Sequence, residues 1–299
     1  MDTVNINLTG CLPGLIESHQ KIIILSVNVP LSIIAVLGNV LIIVALQKPL
    51  SSLRPASKLL FGCLACTDLC VGFIVQPLLA IFLMSPHLSK LCYDTQIALS
   101  TLGVVFNGVS LMTLSAISVD RFLVLLLGLR YRQVVTLSRV RVLVAAFWLV
   151  NTAMALIMYF FVRIATSLAT VVLVLCTVTS TFCYTKIYIA LRHHQTAVQD
   201  EGQQNGGGNA LNIARYRKTV SSALWLQLTL VACYLPHGIL LSVLSIFGSV
   251  TPSIALNWAA TLSLLYFNSS LNPFLYCWKM REVRQAVKNT IRQCWCPWE

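Results

Sequence analysis

Five stretches of this chain, 22 to 47, 59 to 84, 97 to 119, 219 to 247 and 253 to 278, each run for more than 20 residues with almost no charge. A bilayer core about 30 Å thick is crossed by about 20 residues of helix, so runs of this length are membrane spans before anything else. Only 10% of the 299 residues are charged and 57% are hydrophobic, whereas a soluble domain carries roughly 25% charged residues. So few charges cannot cover a water-facing surface, and the apolar excess must face lipid. Both a soluble enzyme and a disordered chain are excluded, and no catalytic residues are expected.

The stretch from Arg139 to Arg192 has 54 residues, and between Arg141 and Arg192 only Arg163 and Lys186 are charged. As one helix it would be about 81 Å long at a rise of about 1.5 Å per residue, far beyond one span. Two helices with a turn near Arg163 are expected, making seven spans. Charge placement supports that count, because cytoplasmic loops near spans are rich in Lys and Arg. With the N-terminus outside, 18 of the 21 basic residues fall on the cytoplasmic side, leaving Lys21, Lys90 and Arg163 outside. The net charge of +12 therefore belongs to a membrane surface and not to nucleic acid.

The expected organisation is an extracellular segment 1–21, a helix bundle 22–278, and a cytoplasmic amphipathic helix and tail 279–299. Residues 1–21 lack the basic and apolar regions of a cleavable signal, so the first span is expected to direct insertion. Asn7-Leu8-Thr9 is a glycosylation sequon on the outer side. Met280, Val283, Val287 and Ile291 recur at helical spacing among Lys279, Arg281, Arg284, Lys288 and Arg292, as in a helix lying on the inner leaflet among membrane lipids. Cys294 and Cys296 at its end are palmitoylation candidates or free thiols. The polar run 203–209, with Gly206-Gly207-Gly208, reads as a flexible loop between spans five and six. Of the 11 cysteines only Cys11 and Cys92 lie on the oxidising side, as a disulfide candidate or as two free thiols.

A charge at the centre of a span costs about 2.5 to 3.5 kcal/mol, so each one needs a reason. Asp68 is the only acid in the middle of a span, and Asn39, Ser110, Asn268, Ser269 and Asn272 lie at comparable depth in the first, third and seventh. Together they suit a small hard cation or a proton, or hydrogen bonds between helices with no ion. Asp120-Arg121-Phe122 ends the third span, where adjacent opposite charges can pair. Pro236 and Pro273 sit within spans six and seven, where each removes a backbone hydrogen bond and permits a kink.

Taken in order, Gly38-Asn39-Val40, Leu64-Ala65-x-x-Asp68, Asp120-Arg121-Phe122, Trp148, Tyr184, Cys233-Tyr234-Leu235-Pro236 and Asn272-Pro273-Phe274-Leu275-Tyr276 resemble the motifs of rhodopsin-like (class A) G-protein-coupled receptors, one per expected helix. The run Leu129 to Thr136 leans to the adenosine- and melanocortin-like branch. The resemblance implies an all-α membrane protein, a seven-transmembrane helix bundle with a short amphipathic eighth helix. It implies a plasma-membrane receptor, multi-pass with its N-terminus extracellular, that passes an extracellular signal to a heterotrimeric G protein. Asp68, Ser110, Asn268, Ser269 and Asn272 would form an allosteric sodium site, with no other cofactor. Asp120, Arg121, Tyr184, Asn272, Pro273 and Tyr276 would form the activation switch, and Gly103, Asn107, Tyr234 and His237 the ligand pocket. Tyr234 stands where the family usually has tryptophan.

The chain departs from that pattern in five places. Between Trp148 and the fifth span there is no cysteine and almost no loop, so the family's usual disulfide to a long extracellular loop cannot form. Cys92 lies about one turn farther from Arg121 than in the family. The start of helix six reads Arg215-Tyr216-Arg217-Lys218, with no acid to hold Arg121. Gly103 and Leu241 fall where amine receptors carry aspartate and adenosine receptors asparagine. The ligand is therefore expected to be neutral or anionic and largely apolar, with His87, Lys90, Arg163 and His237 near the outer mouth. The alternatives are an ion-coupled transporter built on Asp68 and a receptor-like protein that does not signal.

Overall fold

The computed structural model describes residues 12–47, 54–86, 89–201, 228–244, 246, 251–279 and 281–295. Among the described residues there is helix and no strand. After a turn at Leu12–Leu15, the helices are α1 (Ser18–Gln47), α2 (Pro55–Met84), α3 (Lys90–Leu127), α4 (Leu137–Phe160), α5 (Val162–Glu201), α6 (Leu228–Leu244), α7 (Pro252–Lys279) and α8 (Arg281–Trp295). Length and apolarity alone single out α1 to α5 as spans; α6 has fewer described residues, and α7 has no stretch as apolar as those five. The reason lies in α7 itself, whose Ser263, Asn268, Ser269, Ser270 and Asn272 face other helices instead of lipid.

Most expected spans agree with the helices to within a few residues and the third is the exception, while residues 219–227, 245 and 247 of the expected sixth lie outside the described residues. It was read at 97 to 119, yet α3 has 38 residues, because its charged ends, Lys90 and Asp120-Arg121, continue the helix past the apolar run. It stops at Gly128, whose φ of 50° is left-handed backbone that favours glycine. The turn expected near Arg163 lies at Phe161, the sole residue between α4 and α5. Its N–H donates to Ile157 O at 2.7 Å and its carbonyl accepts from Ala165 N at 3.0 Å.

Exposure is inverted relative to a soluble protein. Leu149 and Phe160 on α4 are each 71% exposed, whereas Asn39, Asp68 and Ser110 are fully buried. An apolar exterior around a polar interior is what lipid selects, since hydrocarbon offers polar groups no partner. α3 packs against α2, α4 and α5, and α1 against α2, α7 and α8. Gly38 permits the α1–α7 seam: a Cβ there would stand 2.8 Å from Pro273 Cγ. On α8, Val283, Ala286, Val287 and Thr290 are buried, but Ile291 is exposed. The inward face thus runs through Ala286 and Thr290 in place of the expected Ile291, which is left on a side free for lipid; Met280 lies outside the described residues.

Candidate functional site

Three features line up along the bundle axis. The first is the Asp68 cluster. Asn272 Nδ2 on α7 donates to Asp68 Oδ2 at 2.7 Å, and the Ser110 hydroxyl on α3 is shared between Asp68 Oδ1 at 3.2 Å and Thr67 Oγ1 at 2.7 Å. Ser269 approaches the same carboxylate. Asn39 Nδ2 on α1 donates to Ser269 O at 3.1 Å and Ala35 O at 2.8 Å. The expected residues are therefore brought together, and Thr67 joins them. Its only sequence signal was its place beside Asp68. Asn272 Oδ1, Asn39 Oδ1 and Asn268 Nδ2 are buried without hydrogen-bond partners. A carboxylate with spare amide and hydroxyl oxygens fits a small hard cation such as sodium.

The second feature is a cavity of about 170 Å³ between α3, α4, α5, α6 and α7. Gly103, Asn107, Tyr234 and His237 all line it, as expected, together with Leu241. Asn151 of α4 lines it too and packs so closely on Gly108 that a Cβ there would overlap the amide. Among the described residues no charged side chain lines it: Lys90 and Arg163 are exposed elsewhere, and His87 lies outside the described residues. Of the expected basic mouth, His237 lines the cavity and Lys90 and Arg163 do not. The Tyr234 phenol lies against Asn268, so cavity and polar cluster share a wall.

The third feature is the Asp120–Arg121 end. Asp120 accepts from Ser57 Oγ at 2.8 Å on Oδ2 and from the Tyr131 hydroxyl on Oδ1. Burial, and next the Asp120 carboxylate, push the Tyr131 phenol above its usual value. Arg54 stacks over the Tyr131 ring at 4.2 Å. The expected Asp120–Arg121 pair is loose, with Nη2 at 3.7 Å from Oδ2, because both carboxylate oxygens already have closer donors. Arg121 lies instead over Phe61 at 5.4 Å, and Phe61 meets Tyr276 edge-on at 5.0 Å. Tyr184 and Tyr276 are buried here around a small gap of about 10 Å³ that Ser118 also lines, and Tyr276 Oη has no partner. Sequence reasoning missed Ser57, Phe61 and Arg54, since nothing on α2 marks them as neighbours of α3. Beside this end a larger apolar groove of about 500 Å³ runs between α3 and α4, with Asp120 and Arg139 on its rim.

Cys92 is disulfide-bonded, which removes the free-thiol alternative; Cys63, Cys66, Cys70, Cys176, Cys183, Cys233 and Cys277 are free. Cys11, Asn7, Cys296, the 203–209 loop and Arg215 to Lys218 lie outside the described residues, as does the Cys294 side chain on the last turn of α8.

Residues 38–167 and 162–276 match the family described as 7 transmembrane receptor (rhodopsin family). Those bounds run from Gly38 to Tyr276, the first and last of the motif residues. Among curated proteins the chain is 24% identical to adenosine receptor A3 of Ovis aries over 308 residues, covering 93% of this chain and 92% of that receptor. It is 24% identical to adenosine receptor A3 of Bos taurus, with the same shares of 93% and 92%. With adenosine receptor A2a of Homo sapiens the identity is again 24%, over 90% of this chain and 72% of the relative.

Proposed function

The chain belongs to the rhodopsin family of seven-transmembrane receptors, in its adenosine-like branch, and from that premise we propose that it carries a signal from the α3–α6–α7 cavity to a heterotrimeric G protein at the Asp120–Arg121 end. It is a multi-pass membrane protein and a signalling receptor; neither a transporter nor an enzyme is favoured. In this reading the N-terminus and the cavity mouth face outward from the plasma membrane, as the distribution of basic residues supports, and α8 lies on the inner leaflet.

One observation carries the coupling reading. Arg121 is set at the bundle end with its own acid already occupied, its side chain 38% exposed, its Nη2 without a hydrogen bond, and Tyr184 and Tyr276 close by. A guanidinium so placed is a ready donor for a partner segment rich in carbonyl and carboxylate oxygens. Asp68 with Ser110, Asn268, Ser269 and Asn272 would hold sodium, and bound sodium biases the bundle only if the resting arrangement binds it better. Tyr234 and Asn268 link that cluster to the cavity. Leu241 offers no amide where adenosine receptors carry one, so the ligand is not held in that way. Cys11 is the partner assigned to Cys92, which non-reducing peptide mapping checks, and Asn7 the glycosylated residue; Cys294 and Cys296 are candidates for acylation.

The test is expression with a panel of G-protein dissociation sensors. A ligand-free signal above mock-transfected cells in at least one sensor, lost in Arg121→Ala at equal surface expression, is expected. A surface-expressed protein silent in every sensor, without ligand and against a diverse library, overturns the coupling reading.

A further inference from the structure

We propose that the ligand of the α3–α6–α7 cavity is an uncharged, largely apolar molecule bringing two hydrogen-bond donors, hydroxyl or N–H, one to Asn107 and one to His237. This rests on the cavity being the ligand site of the receptor. Each acceptor is fixed by its own neighbour. Asn107 Nδ2 donates to Gly103 O, one turn earlier, at 2.9 Å. A carbonyl only accepts, so the amide cannot be flipped, and Oδ1 is the atom left over. That oxygen is buried with no partner, on a side chain only 8% exposed that lines the cavity.

On the facing helix, His237 Nδ1 lies 3.1 Å from Thr261 Oγ1. The Thr261 hydroxyl also lies 3.1 Å from Trp258 O, and with one proton to give it makes both contacts as hydrogen bonds only when that proton goes to Trp258 O and His237 Nδ1 carries the other hydrogen. Among the described residues no acid lines the cavity to hold an imidazolium. The neutral ring then presents the Nε2 lone pair, which has no hydrogen bond among the described residues, and the ring lines the cavity.

Two unmatched acceptors in a mainly apolar chamber, walled by Leu99, Val104, Leu111, Met154, Leu262 and Leu265 with the rings of Tyr234, Trp258 and Tyr266, set the ligand's chemistry. A ligand without donors leaves both acceptors dry, which is the costlier outcome in a buried site. An anion meets two lone pairs and no cation, and an ammonium meets no counter-charge. The neutral-or-anionic expectation from the sequence therefore narrows to neutral donors.

The test uses the purified full-length receptor in lipid nanodiscs. Biphenyl, naphthalene and cyclohexyl diols are each paired with their dimethyl ether and with the dicarboxylate of the same skeleton, and affinity is read by ligand-observed NMR and thermal shift. Diols are expected to bind at least about tenfold more tightly than their ethers and dicarboxylates, with Asn107→Leu and His237→Phe each reducing diol affinity about tenfold while leaving the ethers little changed. Ethers or dicarboxylates binding as well as the diols, a diol preference unchanged in both variants, or no diol binding at all overturns the proposal. The wild-type comparison stands even where a variant fails to fold. G-protein sensors run in parallel separate the two readings: diols that bind without changing any sensor leave the ligand chemistry standing and count against coupling, whereas activation by ethers or dicarboxylates does the reverse.

Discussion

Asp68 and Asp120 are both buried carboxylates near the α2–α3 seam, and their surroundings are built in opposite ways. Asp68 accepts from Asn272 and Ser110, and what remains unmatched around it is chiefly acceptors, Asn272 Oδ1 and Asn39 Oδ1, with Asn268 Nδ2 the exception. Asp120 accepts from Ser57 and Tyr131, and what remains unmatched around it is donors, Arg121 Nη2 and Arg54 Nη1. The middle of the bundle is short of positive charge, whereas its end is short of negative charge. In the proposed reading a small cation would complete the first region, and a partner segment bearing oxygen atoms the second. Hydrogen-bond polarity, more than the acids themselves, thus distinguishes the two regions.

The largest test of that contrast is at Asp68. Replacing an impermeant organic cation by sodium at constant ionic strength is expected to lower ligand-free G-protein activation of the wild type about tenfold, as for a ligand that prefers one of two states by ~1.4 kcal/mol. Asp68→Asn should erase that dependence. A mutant that responds to sodium as the wild type does would reduce the cluster to interhelical hydrogen bonding.

A smaller effect is expected at the other acid. Tyr131→Phe frees Asp120 Oδ1, which Arg121 can then engage, and the closer pair should lower basal activation about threefold to fivefold, the worth of ~1 kcal/mol. Raised basal activity in this variant would mean that Tyr131 restrains Arg121 instead of competing with it. Supplying an acid from α6 should act in the same direction. Tyr216→Glu, in a segment outside the described residues, is expected to reduce basal signalling by about twofold to fivefold at equal surface expression, as an exposed pair of up to ~1 kcal/mol allows.

The smallest expected effect is a null one. Because the Tyr131 phenol is pushed above its usual value, its neutral, donating form is fully present below the ordinary tyrosine pKa of about 10 and is lost only as pH rises through the higher folded value. The difference in basal activity between wild type and Tyr131→Phe should therefore stay constant from neutral pH to about 9. A difference that fades across that window would show the phenol ionising early and the Asp120 contact to be weaker than its geometry.

Much of the molecule was legible beforehand, for a local reason. Apolar runs and the charge-free stretch 139–192 located the spans, since each helix satisfies its own backbone in lipid and needs no partner to do so. Asp68, Ser110, Asn268, Ser269 and Asn272 were legible because polarity at mid-membrane depth is rare. The looseness of Asp120–Arg121 was not legible, because adjacency along the chain says nothing of competitors. Ser57, 63 residues away, takes one oxygen, and Tyr131 takes the other from the turn after α3. Phe61 was invisible for the same reason, being one of many apolar residues on α2 until Arg121 and Tyr276 were placed against it.

By itself the amino-acid sequence determined that this protein is a bundle of membrane helices, which residues carry polarity into it, and which motifs stand at its ends. Hydropathy and helical spacing add up residue by residue and are indifferent to what lies across the bundle. Only the tertiary structure decided which polar atoms would find partners. Asn107 Nδ2 closes on Gly103 and leaves Oδ1 bare, Thr261 takes up His237 Nδ1 and leaves Nε2 without a hydrogen bond among the described residues, and two donors displace Arg121 from Asp120. Such pairings depend on the rotation and register of helices distant in sequence, which packing sets, and hydrogen bonds are short and directional enough that a small rotation exchanges a filled lone pair for an empty one.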